Sequence, residues 1–190
     1  MNDETISRFG IRWCELKSPS PLHHRILFPI TDVYGGVVGY SGRSLDNLVM
    51  PKYINTSFPK SEHLYGLSHT YKEIVRVGFA YVVEGYFDVL VLWAHGIRNV
   101  VAVMGSHLSE SQGWLLAKFC NEARVVWDGD VKKEREMFFP GILKQTSMPH
   151  EYDPDTYVMA FGKPKFIEYV SKTQVVDDTN QLKSKICRMI

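Results

Sequence analysis

Four acidic residues lie at or shortly after the ends of two apolar stretches of the sequence, and their spacing would let them form one site. Glu84 follows one apolar stretch, Asp88 lies one helical turn further on, and Asp128 and Asp130 follow another. Carboxylates that lie close together repel one another and raise each other's pKa unless a cation neutralises them. A cluster of this kind therefore predicts a hard divalent metal, for which Mg²⁺ or Mn²⁺ is the natural choice.

Each of these acidic residues also has a purely structural interpretation. Asp128 precedes a glycine, as in common turns, and Asp88 would complement a helix dipole. Asp153 and Asp155 would add ligands from a later loop, but Asp153 before a proline is also typical of a helix start. Glu84 is harder to explain structurally, because an unpaired carboxylate at the end of an apolar strand is unfavourable and usually marks a site.

The elements that must position these acids alternate between strand and helix from Arg76 onward. This alternation predicts a parallel sheet with crossover helices, in which ligands bind beyond the carboxyl ends of the strands. If the first and third strands are neighbours, the acidic residues share one pocket. The predicted strands are 79–83, 99–104 and 123–127, and the predicted helices are 87–95 and 109–120.

The first third of the chain predicts an antiparallel hairpin, with β-favouring residues on both sides of a turn at 32–36. Residues 46–60 contain two prolines and predict a loop with short extended pieces. Beyond Asp130 we expect a charged helix at 131–138 and then an irregular stretch. A helix start at Asp153, a final helix at 165–172 and a loose tail complete the prediction.

Composition limits the classes of function. The 190 residues carry 22 Lys and Arg against 21 Asp and Glu, so any contact with nucleic acid must be local. Cys14, Cys120 and Cys187 lack the spacing of a zinc site or a disulfide framework. The most apolar stretch, 78–96, is interrupted by two acids, and the amino terminus is acidic, so we expect no membrane span and no secretory leader.

Two segments resemble the acidic signatures of the TOPRIM fold, a metal-binding domain shared by bacterial primases, topoisomerases and some nucleases. They are Val83-Glu-Gly-Tyr-Phe-Asp-Val and Val126-Trp-Asp-Gly-Asp. Four upstream segments resemble, in the same order, the amino-terminal half of the polymerase core of DnaG-type primases, which the other TOPRIM families lack. These segments are Arg25-Ile-Leu-Phe-Pro-Ile, Gly39-Tyr-Ser-Gly-Arg-Ser-Leu, Pro51-Lys-Tyr-Ile-Asn-Thr and Leu64-Tyr-Gly-Leu.

The resemblance covers roughly residues 5–165 and implies an α/β fold. A TOPRIM-type parallel sheet flanked by helices would follow a small mixed α+β subdomain. The implied domains are an amino-terminal primase-core subdomain at 1–75, a TOPRIM metal-binding catalytic domain at 76–165, and a carboxyl-terminal helix and tail at 166–190. The chain departs from the family after Asp130, where a charged segment replaces the usual small residues, and the stretch from Asp130 to Asp153 is shorter than usual.

The resemblance also implies roles for individual residues. Glu84 would be the catalytic acid, either as a metal ligand or as a proton acceptor, and the bound ions would be Mg²⁺ or Mn²⁺. The implied metal-binding set is Glu84, Asp88, Asp128, Asp130, Asp153 and Asp155. Arg25, Arg43, Lys52 and Lys60 would line a template and nucleotide groove, although each of them is also interpretable as solvated surface charge.

The implied activity is synthesis of short RNA primers on a single-stranded DNA template from ribonucleoside triphosphates, in the bacterial cytoplasm. Because no zinc-ligand pattern is present, the chain would be either a reduced primase core of the kind found in phages and mobile elements or one part of a split primase. A replicative helicase or a separate zinc-binding primase subunit would then be a partner. The alternatives are a TOPRIM metal-dependent nuclease and a non-catalytic module that binds DNA or a replication protein.

Overall fold

Two sheets and five helices organise the chain, as seen in a computed structural model that describes residues 2–15, 20–129, 137–172 and 174–175. The helices are α1 (Asp3–Arg8), α2 (Leu67–Val77), α3 (Tyr86–Ala94), α4 (Glu110–Ala117) and α5 (Pro154–Val170), with a 3₁₀ turn at Lys60–Glu62. The strands are β1 (Arg12–Trp13), β2 (Arg25–Thr31), β3 (Val37–Ser44), β4 (Tyr53–Asn55), β5 (Phe79–Val83), β6 (Val100–Ala102), β7 (Glu122–Trp127), β8 (Ile142–Ser147) and β9 (Gln174–Val175).

The first sheet is antiparallel, in the order β1-β2-β3-β4, and it confirms the predicted hairpin. The Asp32 side chain accepts hydrogen bonds from the amides of Tyr34 and Gly36, each at 2.9 Å. Gly35 adopts a φ of 91°, which a residue with a side chain rarely tolerates. The predicted loop at 46–60 contributes only the short strand β4.

The second sheet has the order β6-β5-β7-β8-β9, with β9 antiparallel to β8 and the other pairs parallel. The predicted first and third strands are therefore neighbours, since β5 pairs with β7 from Phe79 opposite Glu122 to Val82 opposite Val125. This register brings the carboxyl ends of β5 and β7 to the same edge of the sheet. The α/β fold expected from the sequence is confirmed.

Apolar clusters cover both faces of the second sheet, as the alternation of side chains along a strand requires. Tyr81 and Val83 of β5 belong to the cluster that includes α3, α5 and the first sheet. Ala80 and Val82 belong to the opposite cluster, which includes α2 and α4. Strands β5, β6 and β7 are largely buried on both faces, and this explains their continuous apolar sequences.

Several helix ends match the sequence prediction. Helix α3 is followed by Gly96 in the left-handed region, with a φ of 80°. Helix α4 begins with the predicted capping box, in which Ser109 and Gln112 bond to each other's backbone amides. Helix α5 begins after Asp153, as expected from the proline that follows. Within the described residues, no helix combines the length and the apolar character needed to cross a membrane.

The prediction was incomplete or wrong in four places. It gave no helix for α1 or α2, and it made an irregular stretch of the residues that form β8. The expected final helix at 165–172 is the last part of α5, which is interrupted at Gly162, where φ is 79° and ψ is 167°. Helix α2 continues across residue 75, the expected end of the amino-terminal subdomain, and the proposed domain limits stay a prediction.

Some predictions fall on residues that the structure does not describe. Asp130, most of the charged helix at 131–138, the loose tail and Cys187 all lie outside the described residues. Met137 and Phe138, which end the predicted charged helix, are described and are not helical.

Candidate active site

A cavity of about 490 Å³ lies between the two sheets, beyond the carboxyl ends of β5 and β7. The second sheet and the loops that follow its strands supply acids to this cavity, and the first sheet and its loops supply cations. The acids are Glu84, Asp88, Asp128, Asp153 and Asp155, and the cations are Arg43, Lys52 and Lys60.

Glu84 and Asp128 are direct neighbours at the edge of the sheet. The amide of Asp128 donates to Oε1 of Glu84 at 3.3 Å, which joins the residues that follow β5 and β7. The backbone carbonyl of Glu84 accepts from the amide of Met104 at 3.0 Å, so the segment that follows β6 also holds this position. The parallel pairing of β5 with its two neighbours thus holds the Glu84 carboxylate at the pocket.

Asp88 lies in the first turn of α3 and combines a structural role with a place in the pocket. Its Oδ2 accepts from the amide of Gly85 at 2.9 Å, and its Oδ1 accepts from the amide of Asp155 at 3.2 Å. Burial raises the pKa of Asp88 well above its ordinary value, and the nearby charges of Asp155 and Asp128 raise it further.

Asp153 and Asp155 reach the same site because the loop before α5 folds onto the end of β7. The amide of Gly129 donates to the carbonyl of Tyr152 at 3.0 Å, and the amide of Asp155 bonds to Asp88 as described above. Burial raises the pKa of Asp155, and the neighbouring charge of Asp153 acts in the same direction.

Three of the four predicted cations line the pocket. The Arg43 guanidinium lies 4.4 Å from the centre of the Phe87 ring and 5.6 Å from that of Tyr53, so aromatic rings hold it in place. Lys52 and Lys60 line the pocket from the loop and the turn on either side of β4.

Arg25 does not lie in the pocket, which corrects the prediction for this residue. Its side chain is only 4% exposed, because Nη1 donates to the carbonyls of Pro51 at 2.9 Å, Lys52 at 3.1 Å and Gly42 at 3.4 Å. Arg25 therefore holds the loop that carries Lys52, and its guanidinium bonds to backbone carbonyls and does not line the pocket. The sequence identified a cation here but gave no indication of which face of the sheet it occupies.

A divalent ion fits the chemistry of the acids, although their side chains are not arranged around one. Among the described residues, no group of three Asp, Glu, His or Cys side chains has the arrangement of a metal site. Asp130, one of the expected ligands, lies outside those residues. The acids nevertheless offer oxygen ligands of the kind that Mg²⁺ prefers. Burial, and to a smaller extent the neighbouring carboxylates, raise the pKa of Asp88 and of Asp155, and a bound cation would favour the charged forms.

Aromatic residues complete the pocket wall, and the sequence analysis did not identify them. The Tyr86 ring lies 5.0 Å from that of Phe28 and 5.7 Å from that of Tyr53, which joins α3 to the first sheet. The Tyr86 hydroxyl donates to Oδ1 of Asn55 at 3.5 Å. No local pattern points to these residues, since their place depends on how the two sheets pack.

Comparison with known protein families divides the chain at the same place as its two sheets. Residues 2–71 match the model described as DNA primase catalytic core, N-terminal domain, and residues 78–136 match that of the Toprim domain. The first match covers the antiparallel sheet and the first part of α2. The second covers β5 to β7 and includes Glu84, Asp88 and Asp128.

Curated relatives and solved structures agree with these matches. The DNA primase of Aquifex aeolicus (strain VF5) is 36% identical over 167 residues, which are 82% of this chain and 34% of the relative. The DNA primase of Legionella pneumophila is 37% identical over 164 residues, which are 78% of this chain and 28% of the relative. The chain thus spans about a third of the length of the curated relatives that it matches.

The crystal structure of the zinc-binding and RNA polymerase domains of the Aquifex aeolicus primase matches with a TM-score of 0.80 and 27% identity, over 93% of this chain and 54% of that one. A DnaG primase catalytic domain bound to single-stranded DNA matches with a TM-score of 0.78 and 25% identity, over 92% of this chain and 71% of that one. With a primase-type amino-terminal sheet joined to a Toprim sheet, this chain belongs to the family of DnaG-type DNA primase catalytic cores.

Proposed function

We propose that this chain synthesises short RNA primers on single-stranded DNA by metal-dependent phosphoryl transfer. The observation that carries this proposal is the composition of the pocket, where acids of the Toprim sheet face cations of the amino-terminal sheet. Primer synthesis needs both groups, because a polymerase must neutralise phosphate charge and activate a sugar hydroxyl in the same place. Membership of the primase family is consistent with this activity.

The cations would bind phosphates of the template or of the incoming ribonucleoside triphosphate. Arg43 offers a planar guanidinium already ordered by Phe87, while Lys52 and Lys60 offer compact ammonium charges. The overall charge of +1 confines such binding to this groove and makes it sensitive to salt.

Mg²⁺ or Mn²⁺ would be held by the carboxylates of the site, namely Glu84, Asp88, Asp128, Asp153 and Asp155, together with Asp130. When bound, such an ion lowers the pKa of an attacking hydroxyl and stabilises charge on the transferred phosphoryl group. Glu84 would act at the end of β5 either as a ligand of the ion or as the acceptor of the proton from the primer 3′-hydroxyl. Its bond from the amide of Asp128 would hold the carboxylate toward the reacting atoms.

The setting of this activity is also a proposal. The solved DnaG domain bound to single-stranded DNA supports a single-stranded template, and the curated relatives support a role in DNA replication. We place the reaction in the bacterial cytoplasm and infer that a phage or mobile element encodes the protein. A replicative helicase or a separate zinc-binding primase subunit would be its partner.

Incorporation of labelled ribonucleotides on single-stranded DNA tests the proposal. We expect RNA products only when ribonucleotides and either Mg²⁺ or Mn²⁺ are both present. Degradation of the DNA with the metal alone would instead identify a nuclease that uses the same acids to activate water. Binding of DNA without either reaction would identify a non-catalytic module.

A further inference from the structure

The 3₁₀ turn Lys60–Glu62 carries one cation of the pocket but has no apolar anchor of its own. None of its three side chains is buried, although Lys60 lines the pocket beside the acids. The side chains of the turn therefore do not fix it. The flanking residues Phe58 and Leu64 pack into the apolar clusters, and between them the position of the turn depends on polar contacts made by its backbone.

Those contacts come from the first turn of α4, in the other half of the molecule. The Gln112 side chain is 1% exposed, and its Nε2 donates to the carbonyls of His63 at 2.8 Å and Lys60 at 3.2 Å. The same nitrogen donates to the carbonyl of Val103, just after β6, at 3.0 Å. One amide group thus joins the Lys60 turn to the end of β6, an edge strand of the Toprim sheet.

Ser109, the residue before α4, makes a further contact with the same turn. Its hydroxyl donates to the carbonyl of Ser61 at 2.6 Å and accepts from the amide of Gln112 at 3.1 Å. A capping box requires only the two bonds between residues of this kind, from each amide to the other side chain. The bonds donated by the Gln112 Nε2 group and by the Ser109 hydroxyl are additional to the capping box, and both groups bond to carbonyls of the Lys60 turn or of the residue after it.

The Lys60 side chain runs beside the loop that follows β6. A β-carbon at Gly105 would lie 3.6 Å from its Cε and 3.9 Å from its Nζ, so the glycine leaves room for the lysine without clashing with it. Lys60 forms no ion pair among the described residues. The position of its ammonium group therefore depends on where the backbone of the turn lies and on the room beside Gly105.

We propose that Ser109 and Gln112 are positioning residues that hold the Lys60 ammonium at the pocket, where it binds a phosphate. This inference rests on the proposed function of the pocket, and it names the residues that set the position of one of its cations. The phosphate belongs either to the template or to the incoming nucleotide, and binding and kinetic measurements separate these two sources.

A double-mutant cycle between Gln112→Met and Lys60→Ala provides the test. Methionine keeps the length of the side chain and removes the donors. We therefore expect the affinity for single-stranded DNA to fall, or the KM for ribonucleotides to rise, by about three- to tenfold. If the ligand is the template, the salt dependence of binding also falls by about one counterion, as it does in Lys60→Ala. In the Lys60→Ala background, Gln112→Met should cause no further loss.

Hydrogen exchange measures the position of the turn independently of activity. Gln112→Met should speed exchange at the amides of Glu62 and His63, which bond to Pro59 and Lys60 within the turn. Asn99→Ala is the matched control, because it removes another buried side-chain amide that bonds to a backbone carbonyl, that of Phe79, outside this contact. It should leave both exchange in the turn and DNA affinity unchanged.

The proposal would be overturned if Gln112→Met left hydrogen exchange in the turn unchanged. It would also be overturned if Gln112→Met weakened binding equally in the wild-type and Lys60→Ala backgrounds. If Gln112→Met does not fold, Ser109→Ala removes the contact to Ser61 and is expected to show the same non-additivity with Lys60→Ala. A wild-type protein that makes no primers would contradict the proposed function, while the exchange result would still decide whether α4 positions the turn.

Discussion

At the scale of single residues, charge alone does not show what a side chain does. Arg43 and Ile26 are paired across β2 and β3, so they share a face of the first sheet, whereas Arg25 points to the other face. This difference of one position separates a cation of the pocket from a buried structural cation. The family resemblance placed both arginines in the groove, and the hairpin predicted from the sequence had no register that could distinguish them.

Loss of Arg25 should therefore affect stability more than binding. Arg25→Ala removes the Arg25 bond to the carbonyl of Pro51 and one of the two bonds to that of Lys52, which keeps its bond from the amide of Ser44. We expect the free energy of unfolding to fall by about 2–4 kcal/mol. Urea denaturation measures this change, and Arg12→Ala, on an exposed strand, should alter it by less than about 0.5 kcal/mol. If Arg25→Ala kept the stability of wild type but bound DNA more weakly, Arg25 would be a residue of the groove after all.

The raised pKa of Asp88 predicts a dependence of stability on pH. The folded protein holds this proton more tightly than the unfolded chain does, so the contribution of Asp88 to stability decreases as the pH rises above its ordinary pKa of 3.8. Asp88→Asn cannot ionise and should gain stability relative to wild type between about pH 4 and 7. Saturating Mg²⁺ should narrow this difference, because the ion stabilises the charged wild-type site.

Urea denaturation across this pH range, with and without Mg²⁺, checks both effects. A constant difference between Asp88→Asn and wild type at every pH would mean that Asp88 is ionised in the folded protein as readily as in the unfolded chain.

At the scale of elements, the parallel strands and their connecting helices were predictable because burial on both faces leaves continuous apolar sequences. Strand β8 was missed because it lies beyond the centre of the sheet and buries only Leu143 of its six residues. Helix α2 was missed although Leu67, Thr70 and Ile74 follow a helical spacing, because one of these three buried residues is polar. Strands that are buried on both faces are thus easier to predict from sequence than elements such as β8 and α2, which bury only some of their residues.

Gly129 tests how one element positions another. A β-carbon at Gly129 would lie 2.0 Å from the carbonyl oxygen of Pro149 and 2.8 Å from that of Tyr152, so Gly129→Ala must displace the loop that carries Asp153 and Asp155. We expect a loss of stability of about 1–3 kcal/mol and weaker stabilisation by Mg²⁺ or Mn²⁺ in thermal unfolding.

Gly35→Ala serves as the control for Gly129→Ala. It is strained by its φ of 91° but has no neighbour within 4 Å of the new carbon and lies in the hairpin turn, outside the pocket. It should lower stability without changing the effect of the metal. Equal metal effects in both variants would argue against a role for the loop in the site.

At the scale of the whole molecule, the pocket exists only where the two sheets meet. Neither sheet alone provides both the acids and the cations, and the contact between them is built by aromatic residues such as Tyr86. The acids could be predicted from sequence because they follow strands of one sheet. The pocket wall could not, since no rule of local sequence states how one sheet packs on another.

The most direct test of this account compares wild type with Glu84→Gln in ribonucleotide incorporation on single-stranded DNA with Mg²⁺. Glutamine keeps the size of the side chain and an oxygen for the amide of Asp128, so folding and template affinity should change little. We predict that incorporation falls by at least about a hundredfold while DNA binding remains close to that of wild type. Primer synthesis by Glu84→Gln at the wild-type rate would contradict the account.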